Sequence, residues 1–151
     1  MRKFILTASV TLAATAAVTA LAAQPPAYLG AWVISRSQPA PWAAPGEPPV
    51  QSDIERLVGK RVVFDKDRIA APEPLACAGP HYEIVSYTSD LLFQGNLTEP
   101  DKQAMDLGYR LPQIMTLETG CAGPIEFHFL NGNTAMFALN DRLYRLERTR
   151  R

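Results

Sequence analysis

Residues 125–148 read IEFHFLNGNTAMFALNDRLYRLER, and they carry the clearest strand pattern in the chain. In 125–130, isoleucine and two phenylalanines alternate with residues of the opposite face, which is the period of a β-strand with one apolar side. A turn follows at 131–133, where Asn-Gly adopts a positive φ at low cost. Return strands over 134–139 and 142–148 complete the pattern. The stretch therefore predicts an antiparallel three-strand meander.

Shorter patterns upstream predict further strands and turns of the same kind. Strands are expected over 28–35, 82–87, 91–95 and 113–119, and a hairpin with an Asp-Lys-Asp turn over 60–70. Many short strands at close spacing favour closure or strong bending of a sheet. The fold class is therefore mainly β: a small antiparallel β-barrel or strongly bent sheet of about eight strands with two short helices.

Both helices are predicted from their termini. Ser52 and Glu55 have the spacing of a capping box, and Gly59 supplies a stop. A second short helix opens near Pro100, with a proline in its first turn and acidic residues at its positive end, and it ends at Gly108.

The first 22 residues have the organisation of a secretory signal peptide. Arg2 and Lys3 precede an apolar run, and Ala20-Leu21-Ala22 resembles a cleavage site. The prediction is a periplasmic or secreted protein in which 23–151 form one β-barrel domain. Within it, 36–51 is interpreted as a proline-rich loop, because proline removes backbone donors from regular structure.

Charge and hydropathy limit the partners of the mature chain. The sequence has 15 basic and 15 acidic residues, so removal of Arg2 and Lys3 leaves 13 basic against 15 acidic and a net charge of −2. Nucleic-acid binding then lacks its electrostatic driving force. A second long apolar run is absent from the sequence. We expect a monomer that does not span a membrane once the signal is removed.

The two cysteines of the chain, Cys77 and Cys121, each begin a Cys-Ala-Gly-Pro tetrapeptide. An even number of cysteines in an exported chain favours a disulfide, here joining the starts of two strands. A zinc site with His81 and His128 is the sharper alternative, although the spacing fits no compact zinc module. Redox catalysis is a further alternative, but its cysteine pairs are normally separated by two residues.

Motifs for catalysis are not found in the sequence. It contains no nucleophile elbow, phosphate loop, metalloprotease motif or dinucleotide fingerprint. Scattered carboxylates leave a hydrolase as the third option, and those singled out are Asp65, Asp67, Glu83, Asp90, Glu118 and Glu126. The prediction is a protein that is not an enzyme and has no cofactor, metal or catalytic residue.

One element resembles a known family. Gly30-Ala31-Trp32 on the first strand, with arginines on the last strand, resembles lipocalin-like (calycin) proteins, and the size and strand content are similar to META-type domains of the periplasm. The resemblance implies that Trp32 packs across one barrel end beneath Arg145 or Arg148, in a cation–π contact.

Two classes of binding function follow from these patterns. The first is a carrier or sensor of a small apolar ligand inside the barrel, with a solid core as the alternative for the same side chains. Its inward-facing candidates are Phe64, Met115, Leu117, Phe127, Phe129 and Phe137. The second is a protein-interaction module, such as an inhibitor of an envelope hydrolase, which would use Trp42 in the 39–49 loop as its anchor.

Overall fold

In the computed structural model, residues 27–121 and 123–149 are described, and they form one nine-stranded antiparallel sheet that curls into a half-barrel. The strands are β1 Gly30–Pro39, β2 Arg61–Phe64, β3 Arg68–Ala70, β4 Cys77–Ala78, β5 Glu83–Tyr87, β6 Ile114–Glu118, β7 Phe127–Asn131, β8 Thr134–Leu139 and β9 Arg142–Arg148. The helices are α1 Gln51–Leu57, a 3-10 segment Ser89–Gly95, and α2 Pro100–Asp106. The predicted signal peptide, 1–22, lies outside the described residues. Within the described part, none of the helices has the length and apolarity needed to cross a membrane.

The order of the strands explains the curl. From one edge to the other the order is β4-β3-β2-β1-β9-β8-β7-β6-β5, so the chain meanders away from β1 and then returns to it. Because all neighbours are antiparallel, the two edge strands β4 and β5 run in the same direction. Only residues 79–82 separate them. The two edges must therefore lie close together, and the nine strands compare with the expected count of about eight.

The Cys77–Cys121 disulfide ties these edges together. Cys77 begins β4 at one edge, whereas Cys121 lies in the connection between β6 and β7 near the other edge. The backbone adds a second tie, since the His81 amide donates to the Thr119 carbonyl at 2.7 Å. The predicted disulfide is confirmed, but Cys77 leads into the two-residue strand β4, which the sequence patterns did not reveal.

The concave face of the sheet holds the main core. Trp32, Ile34, Phe137 and Tyr144 are fully buried there, and Leu57 from α1 joins them. The ring centroids of Phe64 and Phe127 lie 5.0 Å apart across the interior. Most of the barrel is therefore solid.

A second core covers the convex face of β6–β9. Leu92 and Phe93 of the 3-10 segment and Ala104 of α2 pack, together with Tyr109, onto that face. On the sheet they meet Ile114, Met136 and Leu143, all of which are buried. Because both faces of these strands are covered, their sequences carry apolar residues on both sides.

The strand predicted over 91–95 is wrong, since these residues belong to the 3-10 segment. Phe93 and Gln94 adopt left-handed φ values of 52° and 58°, which no strand contains. The conformation is maintained because the Phe93 amide donates to the buried His128 Nε2 at 3.2 Å. Tertiary contacts outweigh the local preference of this segment.

The boundaries of the proline-rich loop are also corrected. β1 continues to Pro39 through a bulge between Ile34 and Arg36, because β9 is long enough to pair with it. The loop therefore spans 40–50.

The predicted capping box is absent, because α1 begins at Gln51 with Val50 as its N-cap and no side-chain capping bond. Gly59, with a φ of +81°, follows the helix as expected.

Candidate functional site

An apolar cleft of about 440 Å³ opens at one end of the half-barrel. It is lined by Ala27, Tyr28, Ile84, Met115, Phe129, Leu130, Asn131 and Gly132. Ile84 and Met115 belong to β5 and β6, and Phe129 to β7. Tyr28 precedes β1, and its ring lies 5.0 Å from that of Tyr82, which immediately precedes β5. The cleft thus lies between the N-terminal end of β1 and the concave face of β5–β7.

Unequal strand lengths create this cleft. β2, β3 and β4 have four, three and two residues, whereas β5, β6 and β7 have five each. At about 3.3 Å per residue, the shorter strands cannot cover the whole concave face of the longer ones. Within the described part of the chain, the apolar side chains Ile84 and Met115 at this end of β5 and β6 are consequently left partly uncovered.

Two exposed side chains mark the opening. Met115 is 50% exposed and Ile84 is 44% exposed. Both point to the concave side, since Met115 is two residues from the buried Leu117 and Ile84 lies directly opposite Leu117. Phe129, almost fully buried, continues the surface inward, where its ring meets that of Trp32 at 5.8 Å. The cleft is therefore continuous with the main core.

The six side chains predicted to face inward divide into two groups. Phe64, Leu117, Phe127 and Phe137 are buried and fill the solid part of the core. Met115 and Phe129 line the cleft. Tyr28 and Ile84 also line the cleft, but the sequence patterns did not identify them. The exposure of a residue on one face of a strand depends on which strand faces it.

The tryptophan of the first strand has the basic partner expected from the resemblance. The guanidinium carbon of Arg148 lies 4.3 Å from the centroid of the Trp32 ring. The same side chain donates to the Leu29 carbonyl at 2.9 Å and to the Gly132 carbonyl at 3.2 Å. Arg145 is not the partner, because it lies on the convex face and pairs with Glu147.

Trp42 does not stand free on the proline-rich loop. Its indole nitrogen donates to Asp141 Oδ1 at 2.9 Å, and its ring lies 5.6 Å from that of Phe93. The side chain is half-buried as part of the convex core.

A second cavity, of about 550 Å³, lies beneath the loop and is bordered by Asn140, Asp141 and Arg142. The loop is a strap across the β8–β9 turn.

A polar cluster on the convex face brings two of the scattered carboxylates together. The Tyr87 hydroxyl lies 2.7 Å from Glu118 Oε1 and 3.2 Å from Glu126 Oε1. Gln94 donates to Glu126 Oε2 at 3.3 Å. Burial raises the pKa of Glu126. The hydrogen bond to Glu118, followed by burial, raises the pKa of Tyr87, so this hydroxyl stays protonated as a donor.

His128 is the buried member of this region. Its Nε2 accepts from the Phe93 amide, so the neutral ring carries its proton on Nδ1 and donates it to Thr116 Oγ1 at 2.8 Å. Burial lowers the pKa of His128 to about 3. The His128 side chain is fully buried. Its place on the face opposite the phenylalanines of its strand is confirmed.

The alternative zinc set is not assembled, because the two cysteines are joined to each other and His128 is engaged within the convex core. Among residues 27–121 and 123–149, no group of three or more potential ligands could hold a metal ion. No protein-family model, curated protein or solved structure matches this chain.

Proposed function

We propose that the protein is an exported binding protein of the bacterial envelope that holds a small apolar ligand in the cleft beside Met115 and Phe129. The observation that carries the proposal is the pair of exposed apolar side chains, Ile84 and Met115, at the mouth of a cleft that continues into the core. Exposed apolar side chains that converge on a concavity indicate a binding site more strongly than scattered ones.

Size and charge define the class of ligand. The volume of about 440 Å³ falls within the roughly 300–1,000 Å³ range of small-molecule sites. None of the eight described lining residues is charged, and Asn131 and Tyr28 supply the polar side chains among them. An uncharged ligand is favoured, because a buried charge would lack a partner. Its polar group would lie toward Asn131 at the rim.

The setting supports a role outside the cytoplasm. The N-terminal pattern of 1–22 is that of a signal peptide, and the Cys77–Cys121 disulfide suits an oxidising compartment. The Trp32–Arg148 contact adds to the resemblance to lipocalin-like proteins. A role for Trp42 as the anchor of an interaction module is less favoured, since Asp141 and Phe93 already engage it.

Binding can be tested with the neutral apolar dye N-phenylnaphthylamine. We expect saturable fluorescence enhancement with one site per chain. In a Trp42→Phe variant, Trp32 is the only tryptophan, and its emission should change on titration because Phe129 connects it to the cleft. Met115→Asp or Ile84→Asp should weaken binding by at least about ten-fold, since a carboxylate would be desolvated against the dye.

Leu91→Asp is the matched control. Leu91 is 49% exposed but belongs to the 3-10 segment and does not line the cleft. This variant should bind the dye as the wild type does. Absence of saturable binding to the folded protein, or equal losses in the Leu91 and Met115 variants, would contradict the proposed site.

A further inference from the structure

We infer that Met115 is an oxidation site whose conversion to the sulfoxide closes the cleft to apolar ligands, which makes binding sensitive to peroxide. The inference rests on the proposed function and adds a chemical regulation to the same site. It follows from the position of one thioether among the four methionines of the sequence.

The methionines among the described residues differ in their exposure to solvent. Met115 is 50% exposed and Met105 is 57% exposed, whereas Met136 is 3% exposed beneath the convex core. A hydroperoxide must reach the sulfur to transfer an oxygen atom, so Met115 and Met105 should react and Met136 should be protected. The core therefore survives conditions that modify the cleft.

The reaction needs only the oxidant. A sulfur lone pair attacks the peroxide, the O–O bond breaks, and one oxygen becomes bonded to the Met115 sulfur. With hydrogen peroxide, the other oxygen leaves as water with both protons. The sulfur loses two electrons and the peroxide gains them, and the product is a polar sulfoxide.

The consequence for binding follows from the surroundings of Met115. Three residues of the cleft around it, Ile84, Phe129 and Leu130, are apolar, so a ligand bound there would bury the new S=O group against apolar surface in place of water. That burial weakens binding by on the order of ten-fold. The free protein tolerates the change, because a half-exposed side chain can turn its oxygen toward water.

Met105 provides an internal control. It lies on α2, which packs on the convex face, and it does not line the cleft. Oxidation of Met105 should therefore leave dye binding unchanged. Because the two residues are nearly equally exposed, a peroxide effect that Met115→Leu abolishes and Met105→Leu retains is assigned to Met115.

The experiment treats the disulfide-bonded protein with hydrogen peroxide, locates the added oxygen by peptide mass mapping, and titrates N-phenylnaphthylamine before and after. We expect oxygen on Met115 and Met105 but not on Met136, with dye affinity about ten-fold weaker. Peroxide should leave the dye affinity of Met115→Leu at its own untreated value, whereas Met105→Leu should lose binding as the wild type does. Met115→Gln should reproduce the loss without peroxide.

The following results would overturn the inference. Unoxidised Met115 in the treated protein would show that the sulfur is not accessible. Unchanged affinity with Met115 oxidised, or a loss that Met115→Leu does not prevent, would show that this residue does not control the cleft. If the untreated protein does not bind the dye, the proposed function itself fails, which is a separate outcome.

Discussion

The two wings of the sheet on either side of β1 differ in strand length and in the number of faces that they bury. In the short wing, β2–β4, the convex side carries exposed residues such as Arg61, Arg68 and Ala78. In the long wing, β5–β9, Leu143 and Met136 are buried on the convex side, while Tyr144 and Phe137 are buried on the concave side. The long wing is stabilised by two cores, and the short wing by one core and a disulfide.

This difference shows how a binding cleft can form without a hollow barrel. A short wing that covers only part of its partner leaves apolar side chains uncovered at one end, while the rest of the interior remains packed. We expect the long wing to tolerate this, because its convex core buries further apolar side chains, such as Leu143 and Met136.

Removal of the disulfide should have the largest effect. Cys77→Ser with Cys121→Ser frees a loop of 44 residues and should lower the free energy of unfolding by about 4 kcal/mol. Equilibrium unfolding in urea measures the loss. Native-state hydrogen exchange should then accelerate first in β2–β4. Faster exchange in β8 and β9 than in β2–β4 would disprove the division into a dependent and a self-supporting wing.

Arg148 should matter more than Arg145, although both belong to β9. Arg148→Ala removes the contact with the Trp32 ring and two hydrogen bonds to backbone carbonyls, and should cost about 2 kcal/mol in unfolding free energy. Arg145→Ala loses an exposed ion pair with Glu147 and should change stability by less than about 0.5 kcal/mol. Thermal unfolding of the two variants compares them directly, and equal losses would argue against the role assigned to Arg148.

The convex core should weaken in mild acid through His128. Its pKa falls from 6.5 to about 3 on folding, so the unfolded chain binds more protons between these values. The stability contributed by the neutral ring is fully present above pH 6.5 and is lost as the pH falls toward 3. From about pH 7.5 to 5.5 the loss from this group should be about 1.4 kcal/mol.

His128→Gln supplies the comparison, because it retains polar groups that do not titrate in this range. Unfolding free energies at the two pH values should differ by about 1.4 kcal/mol less in this variant than in the wild type. Glu126 acts in the opposite direction, since its raised pKa makes folding more favourable as the pH falls. An identical pH response in both proteins would show that His128 is not held neutral.

Several elements could be predicted from local pattern because one physical rule dominated each. The meander of β7–β9 combines the alternation of Ile125, Phe127 and Phe129 with turns at 131–133 and 140–141, and α2 combines a proline at its start with a glycine after its end. The disulfide followed from the cysteine count and the inferred compartment. The 3-10 segment could not be predicted from local pattern, because the Phe93 amide, at a positive φ, is bonded by His128, which is distant in the sequence.

The candidate site was predicted in part for the same reason. Alternation placed Met115 and Phe129 on the concave face, but it could not distinguish them from Leu117 and Phe127, which share that face. Whether a concave residue is buried depends on the length of the strand across from it. That length is set by hairpins distant in the sequence.

Local chemistry in the amino-acid sequence was sufficient for strand period, turn positions and cysteine pairing, because each depends on residues within a few positions or on a single possible partner. The join of β1 to β9, the convex core and the uncovered end of β5–β7 arise only when distant segments meet. They depend on matching strand lengths and on the curl of the whole sheet. The sequence pattern therefore predicts the strands of the sheet, whereas the cleft forms only when the sheet curls in three dimensions.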